Sequence, residues 1–359
     1  MQARINLFPE QFSRCEKNLF TTDKLCCSTF EYSTGVKAVK IRNDKGSFVV
    51  LPFMGQMIWD IEFCGRRLTM KSIYDEPEIC YDTYGESYGC FLMHCGLSAM
   101  GNPTEADTHK PHGELPIAKY KEAYILFGED EKGKYISVGG VYSHKRAYDK
   151  NYDFCPEVRL YEDASEIEVT VHFENKKDLP LEYFYLCHIN YLPIEKSHLY
   201  YTARPENITV HSEVPAGYPK EKETNAFIER LEKDKTLMDY IDSETQSYAP
   251  EIVFTCIYDA DEQGNAYTLQ EFPDGYGCYV CHRPEELPFG VRWIARTEDE
   301  DALGMVLPAT AEHKGYLYCK ERGQEKYLPP RSSMTFHIKT GLLDPENVKN
   351  LKQKIKSIK

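Results

Sequence analysis

The sequence predicts a mostly-β chain of two large packed sheets with a few short helices. Three observations predict it. Segments of five to ten residues alternate or run apolar along most of the chain, as half-buried and fully buried strands do. Turn-forming clusters such as "NDKG", "EDEKGK" and "NKKDLP" separate them. Only two stretches carry a helical period, and no short internal repeat or low-complexity linker divides the 359 residues. A long β chain of this kind is expected as one unit, residues 1–359.

The strand segments run in order. "VKAVKIR", "SFVVLPF" and "MIWDIEF" come early; "KYISVGGVY", "EIEVTVHFE" and "LEYFYLCHINY" occupy the middle. "EIVFTCIY", "GYGCYVCH", "FGVRWIART", "LGMVLPA", "GYLYCKE" and "SSMTFHIKT" continue the pattern towards the C-terminus. The charged run from Lys220 places Phe227, Ile228, Leu231 and Leu237 near helical spacing, so a short helical insertion is expected near 220–241. The tail opens with Asp344 as N-cap and Pro345 at the first helical position, and it ends in lysines. It is expected as a helix near 345–357.

Composition narrows the partner. The net charge of −14 is opposite to the basic footprint of nucleic-acid binders, and it repels anionic membranes. No nucleic acid and no membrane are therefore expected; a neutral small molecule fits better. The start of the chain lacks a signal-peptide apolar stretch, and the 13 cysteines are scattered and odd in number. Free thiols in a reducing cytoplasm are the expectation. "CYVCH", Cys278 to His282, has the C-x-x-C-H form of haem attachment. It has no second ligand pair at zinc spacing, so a buried strand with Cys278, Cys281 and His282 as ordinary strand residues is the expectation, with no metal and no cofactor.

Two of the 11 histidines stand out. His112 sits in "KPHGELP", between two prolines and beside a glycine; that frame suits a pocket rim and equally a plain turn. His188 sits in "YFYLCHINYLP". Alternation puts Phe184, Leu186, His188 and Asn190 on one face, which makes a polar patch at one end of an apolar strand. That suits a ligand cleft or a hydrogen-bonded core imidazole.

"LPFMGQMIWDIEFCGRRL", then "YGCFLMHCGLSAMGNP" with "KPHGELP", then "FYLCHINYLP" resemble, in that order, three blocks of the galactose mutarotase-like superfamily. The likeness spans about residues 36–342 and points to the divergent aldose 1-epimerase-like branch. It implies a β-supersandwich of large antiparallel sheets, with a sugar cleft on one of them. It also implies a small-molecule carbohydrate as ligand, with no metal or cofactor required. By the resemblance, His188 matches the acid that protonates the ring oxygen, and His112 matches the histidine that holds and polarises the sugar.

The family's base is a glutamate preceding a late proline. Here Leu307 precedes Pro308, and leucine takes no proton. Glu312 is the nearest replacement; Glu105, Asp107 and Glu114 are others. Asn190, Arg66, Arg67 and Trp293 are further candidates for contact with substrate: Asn190 through the polar patch it shares with His188, one of the arginines by hydrogen bonds to sugar hydroxyls or a sugar acid, and Trp293 by stacking on a sugar face. Turn arginines and a core tryptophan are the plainer readings. The expected activity is anomer interconversion by acid/base ring opening. The alternatives are a non-catalytic sugar-binding or regulatory protein, or another carbohydrate-active enzyme such as a lyase or isomerase. The oligomeric state is left open.

Overall fold

The computed structural model describes residues 2–211 and 214–358. Two antiparallel sheets dominate, of nine and thirteen strands. In the larger sheet, Ala203–Val210, Ile252–Tyr258, Phe289–Arg296, Asp301–Ala309, Leu181–Ile189, Leu92–Leu97 and Ile58–Phe63 lie side by side in that order. Four more strands, ending at Lys17–Thr21, extend it past Ile58–Phe63. The smaller sheet runs from Ala3–Leu7 to His198–Tyr201 and includes Lys150–Tyr161, Ser333–Leu343 and Gly277–His282.

The alternation read from the sequence sets which side of each strand meets the core. In Leu181–Ile189 the odd positions point at the opposite sheet. Tyr185 stacks on Phe336 with ring centroids 5.0 Å apart. Just beyond the strand, the Tyr191 hydroxyl donates to the Tyr279 carbonyl at 3.2 Å. The even positions, Leu186, His188 and Asn190, therefore face outwards, away from the sheet-to-sheet core. The "CYVCH" stretch is the strand Gly277–His282, with Cys278 and His282 buried in the interior.

Helix α1, Glu221–Lys233, occupies the expected insertion and buries Phe227, Ile228 and Leu231. A 3₁₀ turn, Lys235–Asp239, follows it. "GYLYCKE" is a correction: it forms helix α2, Tyr316–Glu321, where a strand was expected. Its first free N–H groups find partners far away in sequence. Asp107 accepts from Leu317 N at 3.0 Å and His109 Nε2 from Tyr316 N at 3.2 Å. Helix α3, Pro345–Ile358, lays Val348 and Ile355 against the smaller sheet beside Leu269 and Tyr279. No helix among the described residues is long and apolar enough to cross a membrane.

Candidate functional site

The outward face of the larger sheet carries a cavity of about 330 Å³. That is near the lower end of ligand pockets, which run from about 300 to 1,000 Å³. Its floor comes from neighbouring strands: Leu186 and His188, Val253, Val291 and Trp293, and Leu307. Loops raise its walls with Tyr84, Tyr88, His112, Glu251 and His313.

The two histidines singled out by sequence meet here. Their ring centroids lie 5.4 Å apart, edge to face at 86°. Trp293 stands 5.4 Å from His188 on another side. Tyr84 is 5.3 Å from His112, and Tyr88 is 5.9 Å from His188.

His188 is oriented from below. Its Nδ1 lies 2.7 Å from Asn190 Oδ1. The Asn190 amide is itself fixed, because its Nδ2 donates to the Cys90 carbonyl at 3.0 Å and its Oδ1 also accepts from the Tyr88 hydroxyl at 3.3 Å. Oδ1 is therefore the acceptor, and His188 Nδ1 carries the proton. In the neutral ring Nε2 is then left with a lone pair. Burial, helped by the neighbouring His112, pulls the His188 pKa down to about 3, so the imidazole is neutral at pH 7.

His112 is held by its backbone. The Gly113 N–H donates to the Lys110 carbonyl at 3.0 Å, closing a turn with Pro111 and His112 at its centre. His112 takes φ +59°, a left-handed conformation at the second central position, where a glycine or asparagine is usual. Three strand-like bonds pin this turn: His112 N to Gly101 O, Gly96 N to His112 O, and Leu115 N to Gly96 O. Gly113 is required by contact as well as by φ +76°, since a Cβ there would sit 2.5 Å from the Gly96 oxygen and 2.4 Å from that of Ala99. His112 Nδ1 is buried without a hydrogen-bond partner among the described residues. Burial lowers its pKa to about 4, with His109 adding to the effect.

The remaining candidates divide. Trp293 is part of the cavity floor, and its Nε1–H donates to the Glu251 carboxylate, which also lines the cavity. Leu307, at the position where the resemblance implies the base, lines the cavity with an apolar side chain. Glu312 does not line the cavity. Its carboxylate contacts His211 Nε2 at 3.0 Å and accepts from Gln324 Nε2 at 2.8 Å and Thr255 Oγ1 at 3.1 Å. These bonds, His211 foremost, hold its pKa at about 2. Glu114 turns away as well, accepting from the Ser98 hydroxyl at 2.8 Å and from Tyr152. Asp107 caps α2, and Glu105 is exposed.

Arg66 pairs with Asp274 at 2.6 Å and lies over the Tyr276 ring. Arg67 pairs with Asp60 at 2.9 Å and borders a separate depression with Trp59 and Tyr32. Neither arginine lines the histidine cavity.

Sequence reasoning missed Glu251. The strand Ile252–Tyr258 was legible, and Glu251, Val253 and Thr255 share a face by alternation. The missing information was register: Val253 sits opposite Trp293, which carries Glu251 beside the indole. Among the described residues no group of three or more His, Cys, Asp or Glu is arranged to hold a metal ion.

A family model described as a domain of unknown function (DUF4432) matches residues 33–342. Comparison with curated proteins finds no match. The fold is similar to that of a "putative aldose 1-epimerase" from Klebsiella pneumoniae subsp. pneumoniae, at 17% identity and TM-score 0.79, covering 99% of this chain and 91% of that one. It is similar to a galactose mutarotase-like protein from Clostridium acetobutylicum, at 11% identity and TM-score 0.60, covering 90% and 100%. A galactose 1-epimerase from Lactobacillus acidophilus aligns at 11% identity and TM-score 0.53, covering 96% and 98%. At such identities the likeness is one of fold alone: a β-sandwich like theirs.

Proposed function

The chain belongs to the family described as a domain of unknown function (DUF4432), and from that premise we propose that it is an aldose 1-epimerase-like enzyme acting on a sugar in the histidine cavity. The observation that carries this reading is the convergence of His188, His112, Trp293 and Glu251 on one sugar-sized space. The names of the structural neighbours support the ligand class. The odd number of scattered cysteines, present as free thiols, supports a cytoplasmic setting.

Anomer interconversion needs one group to take the proton of the anomeric hydroxyl and another to protonate the ring oxygen. The ring opens to an aldehyde, the C1–C2 bond turns, and the ring closes on its other face. In the neutral ring Nε2 of His188 has only a lone pair, so His188 acts as the acid after taking up a proton there beside the Glu251 carboxylate. It gives that proton to the ring oxygen and retakes it when the ring closes, while Nδ1–H stays on Asn190. Glu251 is the base, in the role that Leu307 has vacated. His112 and Asn190 position: His112 faces the sugar across from His188, and Asn190 fixes the tautomer. Trp293 offers an apolar platform to the C–H face of the sugar and orients Glu251.

A non-catalytic sugar-binding protein is the second reading, and Leu307 favours it. Exchange of the anomeric signals of a panel of aldoses, followed by NMR with parent, His188→Gln and Glu251→Gln proteins, separates the two. The enzyme reading expects parental acceleration, and a loss of about 10²–10⁴-fold in each variant. Binding without acceleration by the parent favours the second reading.

A further inference from the structure

The histidine cavity has a neighbour. A second, larger hollow of about 540 Å³ lies against it. Thr297 lines both spaces. The partition between them is only a chain thick. Ala249 faces the larger hollow, while Pro250 and Glu251 face the histidines. In the same way Asp301 lines one space and Glu300 the other. The outer wall is α1, the insertion, which contributes Ala226, Phe227 and Arg230.

The chemistry of this chamber is specific. Its remaining lining is rich in hydroxyl and amide groups from Ser243, Thr245, Gln246 and Ser247. Its charges are largely balanced: Arg296 pairs with Asp301 at 2.7 Å, and Lys220 meets Glu298 at 3.5 Å. Arg230 and Glu223 add one charge of each sign on the exposed face of α1, and the remaining carboxylate, Glu244, meets Lys196 at 3.1 Å. An anionic group would gain little there. An uncharged, hydroxyl-rich group can use both donors and acceptors.

We propose that the substrate has at least two rings, an aldose at the reducing end of an uncharged disaccharide or longer saccharide. The reducing ring occupies the histidine cavity, the glycosidic link passes over the shared edge at Thr297, and the next ring lies in the chamber walled by α1. This rests on the reading of the cavity as a sugar site. It adds that the insertion exists to build a second subsite, which a free monosaccharide leaves unfilled.

The test measures binding, so its outcome does not depend on turnover. Titration calorimetry with the full chain compares glucose with maltose, cellobiose, isomaltose and lactose, galactose with galactobioses, and mannose with mannobioses. For at least one pair the disaccharide should bind about tenfold tighter or better. Ala226→Trp, on the exposed face of α1, fills the chamber without touching the core. It should erase that preference while leaving monosaccharide affinity within about twofold. Arg230→Ala, also exposed, should weaken the disaccharide alone and serves if the tryptophan variant does not fold. Equal affinity within every pair overturns the second subsite and leaves the sugar cavity standing, as does a preference that survives both substitutions. Binding of no saccharide at all overturns both.

Discussion

Asn190 Oδ1 lies 2.7 Å from His188 Nδ1, and this bond decides what His188 can do. The asparagine is fully buried and locked by Cys90 and Tyr88, so it has no freedom to present its NH₂ group instead. It therefore selects the tautomer with Nε2 open to the cavity. The two residues are neighbours on one face of one strand end, and so the polar patch is an orienting device as much as a surface.

Asn190→Ala should free the imidazole to rotate and to change tautomer. Turnover should fall on the order of 10–10²-fold, less than loss of the proton transfer itself, which is worth about 10²–10⁴. Imidazole ¹⁵N shifts of His188 give the readout that a merely structural role would not move. They should report Nδ1–H in the parent and a mixture of tautomers in the variant.

Gly113→Ala should dislodge the His112 turn. The new Cβ would press on two carbonyl oxygens, with φ at +76°. We expect a loss of about 1–3 kcal/mol in urea unfolding. Loss of activity should exceed what the stability change alone accounts for, because the ring of His112 is carried on the preceding residue.

Stability should depend on pH in a definite direction. His94, His112, His188 and His282 are buried, and burial depresses their pKa values to about 3, 4, 3 and 3. In the unfolded chain each returns to the model-peptide value of 6.5. Below that value the unfolded state binds protons that the native state refuses, so unfolding is favoured as pH falls. The contribution is complete above pH 6.5 and is lost progressively down to about pH 3–4. Each histidine adds a slope of up to about 1.4 kcal/mol per pH unit. Thermal unfolding should show Tm falling steeply from pH 6.5 to pH 4. A flat profile there would mean that these imidazoles are charged or solvated in the native protein.

Much of this site was legible before any coordinates. Alternation in "YFYLCHINY" put His188 and Asn190 on one face, and the structure uses that face. Proline and glycine around His112 marked a constrained backbone, which proves to be a turn and a cavity wall at once. Three things were not legible, each for a non-local reason. Glu251 reaches the cavity only because Val253 pairs with Trp293. Glu312 was near the vacant base position in sequence, but His211, a hundred residues earlier, claims its carboxylate. The stretch at 315–321 reads as a strand by composition, and Asp107 and His109 cap it as a helix.

The most direct test sets the two carboxylates against each other. Anomer exchange would be measured by NMR on the same aldoses with Glu251→Gln and Glu312→Gln proteins that retain the parental unfolding profile. The account predicts that Glu312→Gln keeps turnover within a few-fold of the parent, while Glu251→Gln loses about 10²-fold or more. Full activity in Glu251→Gln, with loss in Glu312→Gln, would contradict it.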